Sequence, residues 1–216
     1  MKTMKLAPTL IAKRPGRPLS FDREKALRAA MVLFWRTGYE TTSVADLTEA
    51  MGITAPSLYT AFQDKETLFL ECVQKYIDLA EQTDSPLVTE PASAREAAQM
   101  LLEFSARWFT QPDAPAGCLV ASAASSGSSS SERVRAALKK VRKGSQKALR
   151  KKVEQDIRTG SLPETTNARA LALMTLAVVQ GMSTLARDGA SRSSLFELVT
   201  VAMAAWPKSR LPLNAR

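Results

Sequence analysis

The chain has 216 residues, of which 45% are hydrophobic, and it carries a formal net charge of +9 with two cysteines and no histidine. This length and apolar content can fill one large or two small domains without cross-links. The lack of histidine excludes His-dependent catalysis, and so few cysteines argue against a disulfide framework or a zinc site. No continuous apolar run approaches the roughly 18 residues of a membrane span, and the start lacks a signal-peptide pattern, so we expect a cytoplasmic protein without membrane contacts.

Residues 1–20 are a proline-containing basic segment with five basic residues and no acidic residue. This composition predicts a flexible arm. Arg14 and Arg17 flank a Pro-Gly pair within it, and their guanidinium groups suit the narrow minor groove of A·T-rich DNA. We expect the arm to strengthen DNA binding without selecting the site, and a solubilising tail is the alternative interpretation of the same charges.

Two short helices joined by a glycine turn are predicted further along the chain. Thr42 or Ser43 can cap the first helix, and Gly52 can take the left-handed conformation that ends it. Thr54 can cap the second helix. Its Pro56 is tolerated in the first turn because the missing N–H would have no intrahelical partner there.

Helices on either side are expected to hold this pair in place. Residues 21–37 show helical spacing of apolar side chains, with Asp22 as N-cap and Gly38 at the end, and predict a brace helix. A long helix that starts at Asp64 and continues through Leu79 should connect the pair to the rest of the chain. A shift of that long helix would therefore move the pair.

The second helix of the pair carries the small and hydroxyl-bearing side chains that a DNA-reading helix needs. Small first-turn residues let a helix backbone approach base edges in a major groove, and hydroxyl groups can reach bases or phosphates. Lys65 can meet a phosphate with its side chain and with the helix N-terminus on which it lies. The candidate DNA contacts are Ser57 and Thr60 at base edges, Thr42, Tyr59 and Lys65 at phosphates, and Ser43, Thr54 and Ala55 at the helix starts.

A family-specific pattern of residues extends from Gly16 to Tyr76. It comprises Phe34, Gly38, Tyr39, Thr42, Gly52, Tyr59, Phe62, Lys65, Leu68 and Phe69. With these residues the segment resembles the N-terminal domain of the TetR/AcrR family of bacterial transcriptional regulators. The resemblance implies an all-α protein with an N-terminal three-helix helix-turn-helix DNA-binding domain, here called the head, and a C-terminal helical ligand-binding and dimerisation domain, the body. We place the head at residues 21–66, the body at 67–207 and a tail at 208–216.

Two apolar helices are predicted near the end of the chain, over 163–187 and from Ser191 or Ser193 to Trp206. They carry more apolar surface than a domain of this size needs to bury, and helix pairs of this kind commonly form symmetric dimers. The family resemblance implies a dimer interface in the same place. We therefore expect a homodimer on a pseudo-palindromic DNA operator whose half-sites are ~34–36 Å, or a multiple of this, apart.

Apolar side chains of the body also predict a ligand pocket. Its candidate walls are Met100, Phe104, Trp108, Met174, Val178 and Met182. Methionine-rich walls adapt to several ligand shapes, so the expected effector is a small hydrophobic or aromatic compound. The alternative is that these residues simply form the core. If the pocket exists, Ala177→Phe should fill it and block the response to the effector.

Cys118 lies between Gly117 and Leu119 at the predicted start of a helix, where exposed N–H groups favour a thiolate. A cysteine in this position can sense oxidants, electrophiles or a soft metal, so it joins the candidate ligand-binding residues. A small buried hydrophobe is the alternative. The segments APAGCLV and QGMSTLARDGA resemble a ComR-like subset of the family. No resident metal site and no cofactor is predicted.

Residues 132–152 contain ten basic residues and one acidic residue while keeping an apolar stripe at helical spacing. The segment is therefore predicted to be a body helix with a strongly basic exposed face. That face is either simply solvated, or it contacts DNA or an anionic ligand.

Three classes of function follow from these features. A ligand-controlled repressor accounts for both the capped helix pair and the body. A non-sequence-specific architectural DNA-binding protein accounts for the basic segments but leaves the helix pair unexplained. An enzyme is disfavoured because the chain has no histidine, no glycine-rich phosphate loop and no paired carboxylates at a meaningful spacing.

Overall fold

The computed structural model describes residues 21–83, 91–122 and 131–208. Within these ranges the chain forms nine α-helices and no β-strand, so the predicted all-α fold is confirmed. The helices are α1 (Arg23–Thr37), α2 (Val44–Met51), α3 (Ala55–Phe62), α4 (Lys65–Glu81), α5 (Ala94–Phe109), α6 (Leu119–Ser122), α7 (Glu132–Arg158), α8 (Ala168–Arg187) and α9 (Arg192–Ala204). The predicted basic arm, with Arg14 and Arg17, lies outside the described residues, as does nearly all of the predicted tail.

Contacts between near neighbours in sequence fix the helix starts of the head. The carboxylate of Asp22 accepts hydrogen bonds of 3.0 Å from two backbone N–H groups in the first turn of α1. Ser43 and Asp46 form a reciprocal capping box at the start of α2, with hydrogen bonds of 3.1 and 2.7 Å. Asp64 caps α4 by accepting a 2.6 Å hydrogen bond from the backbone N–H of Thr67. Each such cap stabilises its helix by about 1 kcal/mol.

The core that holds the helix-turn-helix forms between α1 and α4. Phe34 of α1 and Phe69 of α4 meet edge to face with their ring centroids 5.1 Å apart. The inward side chains of α2 and α3 join the same core, and Leu47, Leu58 and Phe62 are at most 1% exposed. Complete burial of a leucine or phenylalanine side chain contributes about 1.5–3 kcal/mol. The short helices α2 and α3 are therefore held firmly on the longer α1 and α4.

In the body, α5 packs against α7, α8 and α9. The buried carboxylate of Asp156 on α7 accepts a 2.6 Å hydrogen bond from the backbone N–H of Ala94, which has no partner within its own helix. Arg95 donates hydrogen bonds of 2.9 Å to the carbonyl groups of Met203 and Trp206 at the end of α9. The start of α5 is thereby tied to both α7 and α9.

A second group of hydrogen bonds joins the end of α1 to the body, and we call it the seam. The indole Nε1 of Trp35 donates to the carbonyl oxygen of Gly117 at 3.0 Å. In return, the guanidinium of Arg187 at the end of α8 donates to the carbonyl oxygen of Trp35. The backbone N–H of Cys118 donates to the hydroxyl of Ser183 at 2.9 Å. The sequence predicted only α4 as the connection between head and body, and the seam adds a connection through α1.

By length and composition alone, α8 could cross a membrane, with a mean hydropathy of 1.3 over 18 residues. A search for uninterrupted apolar runs misses this helix because Thr175 and Gln180 divide it. Only 22% of that window is buried, and Leu173 and Leu185 are 45% and 44% exposed.

Candidate DNA-binding interface

The turn between α2 and α3 has the geometry that the sequence predicts. Gly52 adopts a left-handed conformation with φ of 64°, and the N–H of Ile53 donates to the carbonyl of Thr48 at 3.1 Å. Thr54 caps α3 by accepting a 3.4 Å hydrogen bond from the backbone N–H of Ser57. The hydroxyl oxygens of Thr54 and Ser57 lie 2.9 Å apart. The helix-turn-helix is therefore fixed by the glycine and by a cap at the start of α3.

The outward face of α3 carries the predicted DNA-reading side chains. Tyr59 is 49% exposed, Thr60 is exposed, and Ala55 and Ser57 are half-buried in the first turn. The Thr60 hydroxyl donates its proton to the carbonyl of Pro56 at 2.8 Å, which leaves the oxygen available as an acceptor. The structure thus brings these predicted residues together on one accessible helix, and their contacts with DNA stay predictions.

Thr42 is buried between α1 and α2. Its side chain is 1% exposed, and its hydroxyl donates to the carbonyl of Gly38 and lies 2.7 Å from the hydroxyl of Thr37. These hydrogen bonds fix the conformation of the connection between α1 and α2. The Thr42 hydroxyl therefore has a structural role, and a phosphate contact by Thr42 stays a prediction. Ser43 is exposed beside it, but its hydroxyl serves the capping box.

Lys65 lies in the first turn of α4, as predicted, but its ammonium group has a neighbour within the protein. The Nζ atom lies 4.5 Å from the centre of the Tyr39 ring, within the range of a cation–π interaction. Partial burial lowers the pKa of Lys65, while the charges of Glu40 and Asp46 oppose that shift. A phosphate contact must therefore compete with the Tyr39 ring for the ammonium group.

Replacing Lys65 with alanine should weaken binding to operator and to unrelated DNA by similar factors. It should also reduce the slope of log K against log salt by about one, because a phosphate contact releases a counterion but reads no base. Binding curves at several salt concentrations measure both effects. Lys208→Ala, at an exposed lysine after α9, is the control and should change neither. If Lys65→Ala destabilises the fold and leaves the slope unchanged, Lys65 serves the Tyr39 ring instead of a phosphate.

Arg23, which the sequence does not single out, holds the end of α3 in position. Its guanidinium donates to the carboxylate of Glu71 at 2.7 Å and to the carbonyl of Ala61 at 3.2 Å, and it lies 4.3 Å from the centre of the Phe62 ring. The end of α3 is thereby fastened to both α1 and α4. Glu71 lies 48 residues from Arg23 along the chain, so no local pattern indicates this contact.

The residues predicted to line the effector pocket differ in their burial. Met182 is fully buried, while Met100, Met174 and Val178 are half-buried. Phe104 and Trp108 stack with ring centroids 5.5 Å apart. Three clefts among the described residues, of about 530, 350 and 270 Å³, include none of the predicted wall residues, so the predicted pocket stays a prediction.

An aromatic cluster connects Trp108 to the seam. The indole Nε1 of Trp108 donates to the hydroxyl of Tyr76 at 2.7 Å, and Trp108 stacks on Trp35 with centroids 6.2 Å apart. Burial raises the pKa of Tyr76 well above its usual value, with a smaller contribution from Cys118. The Tyr76 hydroxyl therefore stays neutral and serves as a fixed hydrogen-bonding group.

Cys118 directly precedes the short helix α6, in agreement with the predicted helix start. Its side chain is half-buried, and it interacts electrostatically with Arg142, Arg187 and Tyr76. Across the described ranges, no group of three or more cysteine, aspartate or glutamate side chains is arranged to hold a metal ion.

Comparisons with known proteins cover both domains. The sequence profile described as "Bacterial regulatory proteins, tetR family" matches residues 26–72, and the profile "Tetracyclin repressor-like, C-terminal domain" matches residues 96–196. The chain is 36% identical over 199 residues to the HTH-type transcriptional repressor ComR of Escherichia coli K12, over 92% of this chain and 95% of ComR. It is 36% identical over 106 residues to the repressor BdcR of the same organism, over 49% of this chain and 54% of BdcR.

A solved relative shows the same architecture on DNA. A cysteine mutant of the TetR family transcriptional regulator CifR, complexed with 26-base-pair operator DNA, is 40% identical to this chain with a TM-score of 0.81. The alignment covers 89% of this chain and 100% of the CifR chain. Both domain profiles, the ComR similarity along almost the whole chain and the helix-turn-helix geometry agree. The protein belongs to the TetR family of bacterial transcriptional regulators.

Proposed function

We propose that this protein is a homodimeric repressor that binds an inverted-repeat operator and leaves it when a small hydrophobic or aromatic compound binds the body. The observation that carries the proposal is the capped α2–α3 pair, which presents Tyr59 and Thr60 on an exposed helix of eight residues. A helix of this size is about 12 Å long, comparable to the ~12 Å width of a major groove. ComR and BdcR are both named repressors, which supports the direction of regulation.

Each exposed side chain of the helix-turn-helix has a proposed task. Ser57 and Thr60 read base edges, because a hydroxyl group can both donate and accept a hydrogen bond. Tyr59 contacts phosphate with its exposed hydroxyl, and Lys65 adds a charge at the N-terminus of α4. The arginines of the arm would add affinity that falls as salt rises.

The proposed dimer rests on apolar side chains of α8 and α9 that stay exposed or half-buried among the described residues. We define the α8–α9 face as Gly181, Leu185, Leu198 and Val201, which recur at helical spacing. Val201 is 69% exposed and Leu185 is 44% exposed. Two copies that bury this face around a two-fold axis place two heads in opposite orientations. An inverted-repeat operator matches that symmetry.

The aromatic cluster provides a route from an effector to the DNA. A compound that enters beside Phe104 would displace Trp108, which stacks on both Phe104 and Trp35. Trp35 belongs to α1 and to the seam, so its movement changes how the head sits on the body. A coupling of roughly 1–3 kcal/mol suffices for a 5- to 150-fold loss of operator affinity.

A covalent reaction at Cys118 is an alternative signal to the reversible binding of an effector. Its thiol is half-buried and interacts with the hydroxyl of Tyr76, so a covalent change there would disturb the same aromatic cluster. A Cys118→Ser variant distinguishes the two inputs, because it should lose the response to an electrophile or oxidant and keep the response to a hydrophobic compound.

The decisive experiment is a nuclease footprint on the DNA next to the protein's own gene. A repressor of the proposed kind should protect one inverted repeat, and a bound effector should remove the protection. The architectural alternative predicts uniform weak protection with no defined site. An effector that leaves the footprint intact would contradict the proposed release mechanism.

A further inference from the structure

A groove of about 270 Å³ runs between α7 and α8 and has two chemically different walls. One wall, on α7, is cationic and the other, on α8, is apolar. The lining residues are Lys139, Arg142, Lys143 and Gln146 of α7 and Leu173, Leu176, Ala177 and Gln180 of α8. Ala177 therefore lines this groove rather than the predicted effector pocket, so the Ala177→Phe substitution suggested by the sequence would fill the groove.

The lysines of the cationic wall lack acidic partners. Among the described residues no carboxylate lies within 4.0 Å of Lys139 or Lys143, whereas Arg133 pairs with Glu66 at 3.2 Å. Lys139 and Lys143 are also four residues apart on one helix, and like charges at this spacing destabilise a helix. An anion bound between them would relieve that repulsion.

Arg142 supplies a third positive charge whose position is fixed. It is half-buried and donates a hydrogen bond of 3.4 Å to the carbonyl of Val120, and partial burial lowers its pKa. A guanidinium held in a partly desolvated position binds an anion more strongly than a solvated one, because less water must be displaced and the local dielectric constant is lower.

The apolar wall narrows the choice of occupant. Leu173 is 45% exposed, and Ala177 is exposed one turn further along α8. A DNA phosphate backbone offers no apolar group that could pack against this wall. A second copy of α8 or α9 would bring few acids, because Glu197 is the only acidic residue within the bounds of those two helices.

We propose that the α7–α8 groove binds an amphipathic organic anion, with its carboxylate or sulfonate between Lys139 and Lys143 and its apolar part on Leu173 and Ala177. The groove volume equals that of about nine water molecules at ~30 Å³ each, which suits an aromatic acid or a short acyl chain. The site lies outside the effector pocket that we propose for hydrophobic compounds. Its existence does not depend on the proposed repressor function, since it can be tested without DNA.

The test compares two fluorescent probes that differ in charge. 8-Anilinonaphthalene-1-sulfonate is an amphipathic anion, and N-phenyl-1-naphthylamine is the same aromatic framework without the sulfonate. The double variant Lys139→Gln/Lys143→Gln should raise the Kd of the anionic probe at least about tenfold and leave binding of the neutral probe within about twofold. The control Lys140→Gln/Lys147→Gln removes the same charge from exposed lysines of α7 that do not line the groove, and should change neither Kd by more than about twofold.

Filling the groove provides an independent measurement. Ala177→Phe should abolish binding of the anionic probe while the circular dichroism spectrum and melting temperature stay close to those of the parent. An equal loss of affinity in both lysine pairs would mean that the net charge of α7, rather than the groove, attracts the probe, and the proposal would fail. It would also fail if both probes bound equally well to every variant. A third contrary result would be binding of the anionic probe only to protein that gel filtration shows to be monomeric, because a second copy would then occupy the groove in the dimer.

Discussion

Replacing Leu185 and Val201 with glutamate should convert the protein into a folded monomer that binds its operator at least about 100-fold more weakly. Leu185 and Val201 are 44% and 69% exposed in the single chain, so the substitutions remove little internal packing. In the dimer each glutamate would bury an unpaired charge, which strongly disfavours association. Two linked heads gain about 10² to 10⁴ in affinity over one head, and a monomer loses that gain.

Sedimentation velocity and operator titration measure the two effects. The control is Ala148→Glu/Gln155→Glu, which adds the same charge at exposed positions of α7, off the α8–α9 face. The control should remain dimeric and bind within a few-fold of the parent. A Leu185→Glu/Val201→Glu protein that stayed dimeric with unchanged operator affinity would show that the two copies meet elsewhere.

The head was predictable because its determinants are short-range. Asp22, Ser43, Thr54 and Asp64 each cap a helix through a backbone N–H no more than three residues away. Gly52 ends α2 with a left-handed conformation that glycine adopts readily. Local propensity and the tertiary structure agree at all these positions, so the order and approximate limits of α1 to α4 follow from the sequence.

Side-chain direction and long-range pairing were not predictable in the same way. Thr42 and Ser43 are both candidate caps by type, but only the packed structure shows that the Thr42 hydroxyl turns inward. Lys65 occupies the predicted turn, and yet its ammonium group lies on Tyr39. Arg187 and its hydrogen-bond partner Trp35 are 152 residues apart, so no window of sequence contains both. The contacts that join head to body belong to this unpredictable class.

Substituting Gly117 with alanine should destabilise the protein far more than the same change at Gly160. Both glycines have positive φ, 80° and 76°, so an alanine at either position costs a similar backbone strain of about 1–2 kcal/mol. A Cβ at Gly117 would lie 2.7 Å from the carbonyl oxygen of Ser183 and 2.9 Å from Cγ of Arg187, whereas a Cβ at Gly160 meets nothing within 4 Å. Overpacking of this kind costs about 1–3 kcal/mol, and that difference should appear in the free energy of unfolding by urea.

The same substitution should also reduce operator affinity, and this consequence tests the seam as a functional connection. A Cβ at Gly117 pushes against Arg187, whose guanidinium satisfies a carbonyl at the C-terminal end of α1. Each head is then held less firmly on its body, so the distance between the two heads no longer matches the half-sites. A loss within the 5- to 150-fold range expected for 1–3 kcal/mol of coupling is predicted for Gly117→Ala, and none beyond about twofold for Gly160→Ala. If the two variants lost equal stability and bound the operator alike, the residues around Gly117 would have relaxed and the seam would not set the position of the head.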